Sequence, residues 1–148
     1  MEIQFLFEDL DVDEVSGFEM GDIVIEKGDF QVSSTNRSPN QSMMLFITVP
    51  QWLKAMQKMI ESKKQEIQVD GVDSSYILNV RRKKRTYTIC DDKYLIEGIE
   101  QGELLDSLYM AAERVWIQYG KYIQSDSVRC DFEHALENYR KFLRIINN

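Results

Sequence analysis

With 148 residues, 43% of them hydrophobic, and only two prolines, the chain is long enough to bury most of its unfolded surface and too apolar to be disordered. Its formal charge of −7 argues against a general polyanion binder, and two cysteines, Cys90 and Cys130, make no disulfide framework. The start lacks the basic segment of a secretory signal and no window reaches the roughly 20 apolar residues of a membrane span, so the expectation is one domain, 1–148, in the cytoplasm with reduced thiols.

The charge is concentrated at one end. Residues 1–30 hold ten acids (Glu2, Glu8, Asp9, Asp11, Asp13, Glu14, Glu19, Asp22, Glu26, Asp29) against Lys27. Alternation at Ile3, Phe5 and Phe7 predicts a first strand, Glu2–Phe7, followed by an acidic loop, Glu8–Gly21. Gly17 and Gly21 bracket Phe18-Glu-Met20, which suggests that this part folds back onto the core. Ile23–Glu26 and Phe30–Ser33 read as a hairpin with Gly28-Asp29 at its turn. The polar stretch Ser33–Gln41 is a surface loop and the expected site of local mobility.

Ser42–Val49 is nearly all apolar, β-branched at its end and of strand length, so it reads as a buried strand. Pro50 suits a helix first turn, and Trp52, Leu53, Met56, Met59 and Ile60 predict an amphipathic helix from about Pro50 to Lys64. Glu66–Val69 reads as a short strand. Tyr76–Cys90 reads as two strands, with Leu78 and Val80 leading into a basic tip, Arg81–Arg85, and Tyr87 and Ile89 leading out. Tyr94–Glu97 adds one more strand before Gly98.

From Gly102 the period lengthens. Leu104, Leu105, Leu108, Ala112, Val115, Trp116 and Tyr119 mark one stripe of a long helix. Ser125-Asp126-Ser127 supplies a turn and N-cap for a last helix bearing Phe132, Ala135, Leu136, Tyr139, Phe142 and Leu143. The expected fold is α+β: a mainly antiparallel sheet of about six or seven strands, one mid-chain helix and a C-terminal helical hairpin packed on it.

Chemistry is harder to find. Asp9-Leu-Asp-Val-Asp-Glu14 begins like a calcium-binding loop, but Glu14 stands where the sharp turn needs glycine and Met20 where a bidentate carboxylate is needed. Arg81–Arg85 has the composition of a nucleic-acid patch, yet a hairpin splits its side chains between two faces and the net charge opposes phosphate. The remaining reading of that run is a solvated tip or an internal partner for the acidic segment. His134 is the one histidine, four residues after Cys130, and a thiol–imidazole pair there is a candidate catalytic constellation, with pairs of carboxylates such as Glu97 and Glu100 too common among 25 acids to single out. Phosphate-binding, dinucleotide and metal motifs are missing, so no cofactor is implied.

In size, α+β order, acidic segment and lack of a catalytic signature, the chain resembles the small acidic cytosolic immunity proteins that neutralise bacterial polymorphic toxins. That resemblance implies a non-enzymatic inhibitor of a basic protein partner. The residues expected to steer that partner are Asp9, Asp11, Asp13 and Glu14. A nucleic-acid-associated regulator using Arg81–Arg85 and a small enzyme around Cys130 and His134 are the alternatives.

Overall fold

The computed structural model describes all 148 residues. It is α+β, with every strand pairing antiparallel, and its eight strands divide between two four-stranded sheets. The first sheet contains β1 (Glu2–Phe7), β2 (Met20–Lys27), β3 (Phe30–Ser33) and the two-residue β4 (Met43–Met44). β2 is its centre: β1 runs along one side, and β3 and β4 pair in succession along the other. Register places Ile3 opposite Ile25, Phe5 opposite Ile23 and Ile25 opposite Val32, so one face of this sheet is continuously apolar.

The second sheet is a meander of β5 (Glu66–Asp70), β6 (Ile77–Lys83), β7 (Thr86–Cys90) and β8 (Leu95–Glu100). Its inner face carries Val69, Leu78, Val80, Tyr87, Ile89, Ile96 and Ile99, all buried. Ile96 and Ile99 are three residues apart, which strict alternation would put on opposite faces. Gly98, at φ 70°, forms a bulge that inserts the extra residue and returns Ile99 to the core. The strand therefore continues through Gly98, beyond the Tyr94–Glu97 span expected from the sequence. β3 lies beside β8, and the backbone amide of Met44 donates to Val72 O, so the two sheets adjoin.

Ser42–Val49 is not a strand. Only Met43 and Met44 pair, and α1 spans Leu45–Glu61 with Pro50 inside it. Leu45, Phe46, Val49, Trp52, Leu53, Met56 and Met59 form one buried stripe that runs straight through the proline. Thr48 and Pro50 are buried too, so the first turns have almost no polar face, and helical period is invisible there. The Thr48 hydroxyl donates to Met44 O at 3.0 Å and accepts from Val72 N at 3.1 Å, anchoring the helix start.

α2 (Gln101–Tyr119) packs on β1, β7 and β8, while α3 (Asp126–Ile146) packs on α1 and α2 rather than directly on a sheet. Ser125 caps α3 by accepting from Val128 N. The Tyr139 hydroxyl donates to Leu105 O at 2.9 Å and joins α3 to α2; burial, with the Asp106 charge, pushes its pKa up. Both sheets and all three helices contribute to one cluster of 35 buried hydrophobic residues. No helix is long and apolar enough to cross a membrane.

Candidate functional site

The acidic loop between β1 and β2 is pinned at one end and open at the other. Val15 is fully buried, its carbonyl accepts from Gln124 N at 2.9 Å, and Ser16 O accepts from Ser125 N at 3.1 Å. Gly17, at φ 110°, brings the backbone within contact of Val128 and Ile123, where a side chain would be both strained and crowded. The Glu19 carboxylate then accepts from Ser16 N, the Ser16 hydroxyl and Gly17 N at 2.7, 3.0 and 2.9 Å. Partial burial alone would raise its pKa, but those hydrogen bonds to the charged form outweigh it and hold the carboxyl below its ordinary value.

Upstream of that anchor the acids project outward. The Asp11 side chain caps a single 3-10 turn, Val12–Glu14, by accepting from Asp13 N at 3.0 Å. Asp9, Asp11, Asp13 and Glu14 are all exposed. Asp9, Asp11 and Glu14 line an open depression of about 480 Å³ together with Glu8, Glu19 and Met20. Asp13 does not line it. No acid of residues 1–30 takes part in an ion pair; Lys27, the one base of that segment, is held by Glu103 at 2.6 Å. No group of three or more His, Cys, Asp or Glu side chains is placed to hold a metal ion.

Phe18 does not fold back onto the core, contrary to expectation. It is 48% exposed, and Val15 does the packing instead, because the turn at Gly17 swings the next side chain outward. Val12 and Met20 are also exposed, giving the acids apolar neighbours. Glu19 belongs to the acidic loop expected from the sequence, but its anchoring of Ser16 and Gly17 and the exposure of Phe18 were not foreseen. The paired glycines were the available signal, but they marked a reversal without saying which side chain it exposes.

The basic run forms the end of β6, a two-residue turn at Lys84-Arg85 and the approach to β7. Arg82, paired across from Tyr87, shares the face of Val80, whereas Arg81 and Lys83 share the outer face. Arg81 pairs with Glu66 of the neighbouring strand at 3.2 Å, and no residue of the run pairs with the acidic loop. The notion of an internal charge partner for that loop is therefore set aside. Cys130 and His134 both lie on the exposed side of α3, and no hydrogen bond joins them. Both cysteines are free.

The segment expected to be mobile is instead tied down. Arg37 Nη2 donates to Asp91 Oδ2 at 2.7 Å and Ser33 O at 2.9 Å, while Nη1 donates to Asp92 Oδ1 at 2.7 Å. Its guanidinium lies 5.6 Å from the Tyr76 ring centre and 5.8 Å from that of Tyr94. The Arg37 side chain is 4% exposed and that of Asp91 0%. Burial works against the charge, but the Asp92 hydrogen bond and the Asp91 and Asp92 charges hold the guanidinium pKa above its ordinary value. The Tyr76 hydroxyl, donating to Asp91 Oδ2 at 2.9 Å, is pushed up by burial and by that carboxylate. This cluster clips the loop after β3 to the turn between β7 and β8, across the two sheets.

Comparison with protein-family models, with curated proteins and with solved structures gives no match. Roles for these residues rest on the geometry.

Proposed function

We propose that this chain is a non-enzymatic protein-binding module, an immunity-type inhibitor that captures a basic partner protein through the acidic loop. The observation that carries this reading is a set of exposed carboxylates without counter-ions, presented on a loop whose other end is locked by Val15, Gly17 and Glu19. Like charges held this close repel one another, and a cationic surface relieves that repulsion. Asp9, Asp11 and Glu14 act together around one depression, with Asp13 beside it. Their effect falls on association rate more than on final affinity.

The test is recovery of the partner from the native host by pull-down, followed by association kinetics at low salt. Replacing Asp9, Asp11 and Asp13 by Asn and Glu14 by Gln slows association by about tenfold or more and flattens its salt dependence. An unchanged rate removes the loop from the site. The Asn at position 11 preserves the cap, so a slower rate reflects charge and not collapse of the turn.

A second reading is supported by the four bases Arg82, Lys83, Lys84 and Arg85, exposed and outside any ion pair. It makes the chain a nucleic-acid-associated regulator. Salt-sensitive nucleic-acid binding that disappears when Arg81, Arg82 and Arg85 become Ala would establish it.

A further inference from the structure

Phe18, the residue before Glu19 of the acidic depression, lines a groove of about 300 Å³ between the starts of α1 and α3. Its apolar lining is Phe46, Ile47, Pro50, Val128 and Phe18 itself, of which Phe46, Pro50 and Val128 are buried. Its rim carries one base, Lys54, and one acid, Asp131, which balance. The unbalanced charge begins at the next two residues, because Glu19 and Met20 belong to the depression lined by Glu8, Asp9, Asp11 and Glu14. Three consecutive residues, Phe18 to Met20, thus join an apolar slot to an anionic one.

We infer that the two form one docking surface for a cationic, apolar-anchored segment of a partner protein. One large side chain of that segment enters the groove between α1 and α3, and its flanking Lys or Arg residues lie over Asp9, Asp11 and Glu14. The inference rests on the reading of the loop as a partner-binding site and adds what the partner must carry. Anchors that dominate binding sit in desolvated pockets, with charge at the rim serving steering and register. The groove is at the small end of ligand cavities, a size that suits one side chain rather than a cofactor. A second copy of this chain is a poor occupant. Its basic run, Arg81-Arg-Lys-Lys-Arg85, contains no apolar residue, and two acidic loops brought together would repel.

The experiment titrates two blocked peptides, Lys-Arg-Trp-Arg-Lys and its Trp→Ala counterpart, into the isotope-labelled full chain at low salt and follows backbone amide shifts. The Trp peptide binds about tenfold tighter or more, the scale expected for burying one large apolar side chain. It moves the amides of Phe18, Gln51 and Val128 as well as those of residues 9–14. Ser127→Trp, at the exposed edge of the groove, fills the slot and brings the Trp peptide down to the Ala peptide. Equal binding of both peptides, with shifts confined to residues 8–14, overturns the anchor groove and leaves the acidic loop standing. Salt-sensitive binding of neither overturns the loop reading as well. Concentration-dependent dimerisation abolished by Ser127→Trp would assign the groove to a second copy instead, and likewise overturns the inference.

Discussion

Arg37 is the residue whose context the sequence conceals most completely. It stands in a polar, turn-rich stretch, and its carboxylate partners, Asp91 and Asp92, lie 54 and 55 residues away. Nothing local to either segment announces the pairing. A buried ion pair contributes little net stability when its desolvation is counted, but breaking one side of it leaves a charge in a dry site. Arg37→Met removes the guanidinium from the Tyr76 and Tyr94 rings and leaves Asp91, whose side chain is fully buried, with only the Tyr76 hydroxyl and the Lys93 and Tyr94 amides as partners for its charge. The expected loss is about 3–5 kcal/mol in urea unfolding, and Asp91→Asn in the same background recovers part of it. A loss under about 1 kcal/mol, the scale of an exposed pair, would mean that water reaches the cluster.

Among the elements, those with their signals close together in sequence were legible and those that depend on distant neighbours were not. The β2–β3 and β6–β7 hairpins follow from alternation on either side of short turns, and α2 and α3 from their 3.6-residue stripes. The start of α1 was lost because it is buried all round, and the division into two sheets depends on which strand edges meet. Of the site, the acids were evident from composition, whereas the exposure of Phe18 and the anchoring by Glu19 needed the turn at Gly17 to be seen. The end of α1 yields a prediction from its own geometry. Lys63 lies at φ 54°, Lys64 N donates to Met59 O at 2.9 Å and Lys63 N to Ile60 O at 3.3 Å, the double bond pattern that ends helices on a left-handed residue. Glycine is at ease there and lysine is not. Since Lys63 is exposed and outside any ion pair, Lys63→Gly raises stability by about 0.5–1 kcal/mol, read as a Tm increase of roughly 2–4 °C. An unchanged or lower Tm would show that the strain is relieved in some other way.

At the scale of the whole molecule, the distribution of charge sets two salt effects against each other. Screening weakens attractive pairs such as Lys27–Glu103 and Arg129–Asp126, which are partly exposed and each contribute of the order of 0–1 kcal/mol. It also weakens the repulsion among acids of residues 1–30, none of which has a counter-ion, in a chain of net charge −7. Glu8, Asp9, Asp11, Asp13 and Glu14 fall within one short loop, well inside the Debye length of about 30 Å at 0.01 M salt, and that length falls to about 8 Å at 0.15 M. Repulsion is the larger of the two because the acids outnumber the bases and the densest group is left unpaired. Sodium chloride raised from about 0.01 to 0.3 M therefore increases Tm, chloride being chosen because sulfate would strengthen apolar burial by a separate route. The variant with Asn at positions 9, 11 and 13 and Gln at 14 starts with a higher Tm at low salt and gains much less from added salt. A Tm that falls with salt in the native chain would mean that the ion pairs dominate. An equal gain in the variant would place the repulsion outside the loop, and with it the electrostatic case for that loop as the surface that draws in a cationic partner.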